Sequence, residues 1–162
     1  MAGIKVKVLS KPEFNQFMGE NSITDENVEE RLSNMALISI NDTEGRWNVS
    51  WFDRDHPNVF RLWFDDVEND EQKSPTNPFT CRAFSDEQAK QLFNFIKENE
   101  NKDFIVHCSA GISRSGAVGY FINDYLDSDN EYFQRTNAHR IYPNGHVSRL
   151  LNKLAWDEQS DN

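Results

Sequence analysis

Positive charge is what this chain has least of. Seventeen Lys and Arg stand against 27 Asp and Glu, a formal net charge of −10 with an isoelectric point near 4.8. A surface of that sign argues against nucleic acid or an anionic membrane as a general partner, so any anionic ligand must be held locally. Cysteine is scarce too. Cys81 and Cys108 are too few for a disulfide framework, which points to a reducing, cytoplasmic setting and makes reactivity the question to ask of either thiol. Long hydrophobic runs are missing. The amino terminus MAGIKVKVLSKPEF has no apolar signal core, and no stretch approaches the roughly 18 apolar residues of a membrane span. Nor is there a Gly-Lys-Ser/Thr run, so a Walker lysine and the magnesium ligand beside it are excluded.

What is present suffices for one domain over residues 1–162. At this length a single core closes without metal or disulfide, and 37% hydrophobic with 12% aromatic residues excludes disorder of the bulk. Ile4, Val6 and Val8 alternate with Lys5, Lys7 and Leu9 as in a half-buried strand, and Ser10 with Glu13 then forms a capping box before Phe14, Phe17 and Met18. Residues 24–32 predict a short surface helix. The run MALISI over 35–40 has the length of a buried strand, and VFRLWF over 59–64 predicts another that runs into Asp65, Asp66, Glu68 and Asp70. A long loop is expected over 67–80. Ser85 and Gln88 form a second capping box, ahead of Ala89, Leu92, Phe93 and Ile96 at helical spacing. Phe104, Ile105 and Val106 make a short strand, residues 107–115 a turn, and Ala117, Val118, Phe121, Ile122 and Tyr125 a helical stripe. Further helices are expected at 128–137 and 144–156. Alternation of this kind predicts an α/β fold, a mostly parallel central sheet flanked by helices on both faces. In such sheets ligands bind beyond the carboxyl ends of the strands, where the 107–115 turn lies.

That turn reads His107-Cys108-Ser109-Ala110-Gly111-Ile112-Ser113-Arg114-Ser115. Five small or apolar residues separate one thiol from one guanidinium, and small side chains leave the backbone open. A strand entering and a helix leaving turn successive N–H groups inward, with the positive helix terminus behind them. Residues 109–114 are therefore candidates for binding a phosphate, with Arg114 supplying a planar two-pronged donor. Cys108 at the base of this positive field is expected to be a thiolate, an in-line nucleophile toward a bound phosphoryl group, with a phosphocysteine as intermediate.

His-Cys-x-x-Gly-x-x-Arg-Ser resembles the signature of the cysteine-dependent protein tyrosine phosphatases. The wording here, with Arg140-Ile-Tyr-Pro-Asn144 ahead of a final helix, is similar to their compact dual-specificity branch. The resemblance spans about residues 35–154. It implies a protein tyrosine phosphatase-like fold and hydrolysis of phosphotyrosine monoesters, extending to phosphoserine and phosphothreonine, without metal or cofactor. It also implies a hydrogen bond from Ser115 to the Cys108 sulfur that eases its departure from the phosphoenzyme; the plain reading of Ser115 is a helix cap. His107 is expected to fix the loop rather than transfer protons.

A carboxylic acid must protonate the leaving group. In the phosphatases this Asp follows an upstream strand. Asp66 is the first candidate because it shares a strand face with Leu62 and Phe64, Asp65 is the second, and a rearranged loop would bring Asp70 instead. Both Asp65 and Asp66 also read as solvated surface charges. Cys81 reads as a packed thiol, with a role in protecting Cys108 from oxidation as the alternative. Trp47, Trp51, Phe52 and His56 read as core, with a pocket wall as the alternative. The expected partner is a phosphorylated protein or peptide, with phosphate, sulfate or vanadate in the loop, on a monomer that needs no membrane. Two other readings compete: a phospho-recognition module with little turnover, and a phosphatase for RNA 5′ ends or phosphoinositides.

Overall fold

The computed structural model describes residues 3–69 and 81–160. Four strands, β1 (Val6–Ser10), β2 (Met35–Asn41), β3 (Val59–Trp63) and β4 (Asp103–Cys108), form one sheet in the order β1-β4-β2-β3. Every pairing is parallel, with Ser10 opposite Cys108, Ser39 opposite His107 and Asn41 opposite Trp63.

Side-chain alternation decides which strand residues face which layer. Val6, Val8, Ala36, Ile38, Ile40, Phe104 and Val106 enter one apolar cluster. It is closed by residues of α3 (Asp86–Glu98), α4 (Arg114–Tyr125) and α6 (Gly145–Ser160). Leu9, Leu37, Val59 and Ile105 enter a second cluster, closed by α1 (Lys11–Glu20), the four-residue α2 (Val28–Arg31) and Phe52. Both faces are covered, which is why the central strand β2 reads as a continuous apolar run rather than an alternating one.

Both capping boxes are formed. Ser10 and Ser85 each accept from the third helical N–H, while Glu13 and Gln88 return a bond to the cap N–H. Gly119 shows how closely α4 lies on β1, since a Cβ there would stand 2.6 Å from Val8 Cγ2.

Some expectations are corrected. The first strand begins at Val6, not Ile4, and the helix expected over 24–32 is confined to α2. The turn expected over 107–115 is narrower. His107 and Cys108 belong to β4 while Arg114 and Ser115 open α4, leaving 109–113 as the loop. The helix expected over 128–137 is split into α5 (Asn130–Phe133) and a π-helical turn, Gln134–Ala138. Buried Asn137 explains the split. Its amide accepts from Val8 N–H at 2.9 Å and donates to Val6 O at 2.8 Å, so a side chain pairs with the open edge of β1. Of the loop expected over 67–80, residues 70–80 lie outside the described residues.

Candidate active site

All four strands bring chemistry to the same end of the sheet. Cys108 closes β4, Asp42 follows β2, Asp65 and Asp66 follow β3, and Ser10 and Lys11 follow β1.

Cys108 is buried and free, at 2% exposure. Its Sγ lies 3.0 Å from Ser115 Oγ and receives the Gly111 N–H at 3.3 Å. Ser115 therefore does not cap α4. It is the second residue of the helix, and its hydroxyl faces the sulfur because α4 starts one residue earlier, at Arg114. Gly111 can only be glycine. Its φ is +73°, and a Cβ would stand 2.5 Å from Ser10 N and 2.7 Å from Leu9 C, so the loop is pressed against the end of β1. Lys11 N–H donates to Ser109 O from the same side. On the far side Tyr142 N–H donates to Ile112 O and Asn144 N–H to Ser113 O. The segment over 140–144 thus braces the loop from behind.

The N-cap of α4, Ser113, makes no side-chain capping bond, because its hydroxyl donates to Asp66 Oδ1 at 2.7 Å. Among the described residues the N–H groups of Ala110, Ile112 and Ser113 meet no protein acceptor. Together with the uncapped start of α4 they form a cradle suited to an anion.

Arg114, 5% exposed, is fixed along one edge. Its Nη1 donates to Phe64 O at 2.8 Å and pairs with Asp42 Oδ1 at 2.7 Å. Nη2 donates to Ser109 Oγ at 3.2 Å, and buried Nε has no protein acceptor. The Nε–Nη2 edge is the side-on fork that binds two oxygens of an oxyanion.

The two adjacent aspartates have different surroundings. Asp65 accepts from the Thr43 N–H and hydroxyl and from Arg82 N–H, at 3.0, 2.6 and 2.8 Å. Burial pushes its carboxyl up, but those hydrogen bonds outweigh burial and hold it below the ordinary carboxylate range. It fastens the strand end to the neighbouring loops. Asp66 is exposed and turned toward the 109–113 loop. Ser113 and Asn144, at 2.7 and 2.9 Å, both donate to its Oδ1. Asp70 lies outside the described residues.

His107 is buried, with Nε2 2.6 Å from Ser39 Oγ and Nδ1 3.4 Å from Cys108 O. The carbonyl can only accept, so Nδ1 carries the proton and Nε2 accepts from the Ser39 hydroxyl. Burial, with Lys11 and Arg114 nearby, brings its pKa down to about 3, so the ring is neutral. Cys81 is buried and free, and Phe52 and His56 are buried on the second face of the sheet, whereas Trp47 is only half-buried and Trp51 exposed, so neither tryptophan is the core residue expected.

Sequence reasoning missed Asp42 and Lys11. Asp42 Oδ1 pairs with Arg114 and accepts from Ser109 Oγ at 2.9 Å. Lys11 is 3% exposed, with Nζ donating to Asn41 Oδ1 and Trp47 O, each at 2.9 Å. Burial lowers its pKa, Asp42 opposes that shift and Arg114 adds to it. The available signal was position: both residues directly follow strands that end beside Cys108.

Among the described residues no cluster of His, Cys, Asp and Glu suits a metal ion, and no helix is long and apolar enough to cross a membrane. No protein-family model and no curated protein matches the sequence. Solved structures do match. The PTP-2 phosphatase of Cydia pomonella is 16% identical and aligns over 92% of this chain and 84% of its own, with a TM-score of 0.51. Human DUSP28 aligns over 97% and 95% at 14% identity, TM-score 0.47. The human tyrosine phosphatase-like serine/threonine/tyrosine-interacting protein aligns over 93% and 87% at 16% identity, TM-score 0.46. The first of these carries the assignment, and with the parallel sheet and its order of elements it gives this chain the compact fold of the cysteine-dependent protein tyrosine phosphatases.

Proposed function

We propose that the protein hydrolyses phosphate monoesters, phosphotyrosine in proteins or peptides foremost, through a phosphocysteine on Cys108. One observation carries the reading. The Cys108 sulfur sits at the floor of a loop whose free N–H groups, Arg114 fork and facing Asp66 supply every group the reaction needs.

In the first step the Cys108 thiolate attacks phosphorus, the bond from phosphorus to the leaving oxygen breaks, and Asp66 gives that oxygen its proton. The loop N–H groups and Arg114 meet the charge on the equatorial oxygens. In the second step water attacks the phosphocysteine, Asp66 takes the water's proton, and the phosphorus–sulfur bond breaks to regenerate thiolate and release phosphate. The Ser115 hydroxyl, 3.0 Å from the sulfur, stabilises the departing thiolate. His107 takes no part in proton transfer. It is neutral, and both ring nitrogens are engaged.

The test is hydrolysis of para-nitrophenyl phosphate in EDTA across acidic to neutral pH. Cys108→Ser abolishes turnover yet leaves phosphate binding. Asp66→Asn lowers kcat by about 10²–10⁴-fold and removes the limb of the pH profile that reports the acid. Near-native turnover by the Cys108 variant would refute the mechanism, and retained binding without wild-type turnover would make this a phospho-recognition module.

A further inference from the structure

From the contacts around Arg114 we infer that Asp42 is a positioning residue for the phosphate-binding arginine, acting at the expense of ground-state affinity for phosphate. The inference rests on the phosphatase reading of the loop but concerns a carboxylate to which that reading gives no task. An arginine that must present one particular edge needs its plane fixed from elsewhere. Here the fixing falls on Nη1, held by Phe64 O from the end of β3 and by Asp42 Oδ1 from the end of β2. Two acceptors from two strands leave the guanidinium little freedom to rotate, so Nε and Nη2 stay aimed at the cradle. The same Asp42 oxygen accepts from Ser109 Oγ, which in turn accepts from Nη2. One carboxylate oxygen thus ties the arginine to the first residue of the loop.

Asp42 is itself held in place. Its N–H donates to Trp47 O at 3.2 Å, and Lys11 Nζ clasps both Asn41 Oδ1 and that same carbonyl, pinning the two ends of the 41–47 turn. Lys11 and Arg114 flank the carboxylate as the two buried cations of the site.

The arrangement has an electrostatic consequence. A bound phosphate dianion on the Nε–Nη2 edge carries the same sign as Asp42 across the same guanidinium, and the partly buried setting screens that repulsion weakly. Removing the charge therefore strengthens binding of inorganic phosphate, whereas removing the tether loosens the arginine and slows the chemistry. A merely structural aspartate would produce neither effect in the folded protein.

The experiment compares wild type, Asp42→Asn and Asp42→Ala in kcat for para-nitrophenyl phosphate, in inhibition by inorganic phosphate, and in phosphate binding by calorimetry, below the melting temperature of each. Asparagine keeps an acceptor oxygen without charge. It is expected to bind phosphate several-fold more tightly with kcat within about tenfold of wild type, whereas alanine loses kcat on the order of 10²-fold, as a misplaced catalytic group does. Folded alanine variant with wild-type kcat and unchanged phosphate affinity would overturn the inference. Wild type without turnover would refute the phosphatase reading instead, and the calorimetry would then decide on Asp42: tighter phosphate binding by the asparagine variant supports its role, and unchanged binding refutes it.

Discussion

A buried histidine that stays neutral down to about pH 3 sits directly before the candidate nucleophile. His107 has a pKa of about 3 in the folded protein against 6.5 ordinarily, because burial disfavours the imidazolium. The sign follows from linkage: the unfolded chain binds the proton more readily. Its contribution is complete above pH 6.5 and is lost as pH falls from 6.5 toward 3. Between pH 7.5 and 5 the loss amounts to about 2 kcal/mol, as 1.4 kcal/mol per pH unit dictates once the unfolded ring protonates. Urea titrations at the two pH values test this, with His107→Gln expected to lose about 2 kcal/mol less than wild type. Equal losses would show that the ring is protonated in the fold. Asp65 and Asp66 make the complementary point. Neighbours in sequence, they diverge because β3 ends at Trp63 and the chain turns after it, with Val67 N–H donating to Asp65 O, so one carboxylate meets Thr43 and Arg82 and the other the 109–113 loop, not because of the strand alternation expected from the sequence.

At the scale of elements, the exposed edge of β1 is finished by a side chain. Asn137 offers β1 one acceptor and one donor, as a neighbouring strand would. Asn137→Ala should cost about 1–3 kcal/mol for the buried groups it orphans and speed hydrogen exchange at Val8 N–H, with little effect elsewhere in the sheet. Unchanged exchange at Val8 would show that the edge needs no such partner. This also shows where sequence reasoning stops. The two capping boxes, the apolar run of β2 and the stripe of α3 are local patterns, and the structure carries them as read. The π-helical turn over 134–138 is not local, since Asn137 is drawn to a strand 129 residues away. The same division holds in the site. Cys108, Arg114 and Ser115 lie in one contiguous stretch, at the end of β4 and the start of α4, and are read together from the sequence. Asp42 and Lys11 reach it from the ends of separate strands, and only the strand order brings them there.

For the whole molecule, a cationic cradle is set in a chain of net charge −10. The surrounding field favours substrates whose flanks are basic, and it weakens as salt rises because exposed charges are screened over about 10 Å at 0.1 M. Phosphopeptides flanked by Lys or Arg should show higher kcat/KM than the same peptides flanked by Asp or Glu, the gap shrinking between low and high salt. No gap at low salt would show that the peptide is recognised within the loop alone. The proposed reaction is covalent, however, and it is tested most directly by mass spectrometry of rapidly quenched Ser115→Ala during turnover. In the proposed mechanism, loss of the hydroxyl 3.0 Å from the sulfur slows breakdown of the phosphoenzyme. A phosphocysteine intermediate requires one phosphoryl group on the peptide carrying Cys108, absent from Cys108→Ser. Continued turnover by Ser115→Ala with no phosphoryl group on Cys108 would contradict it.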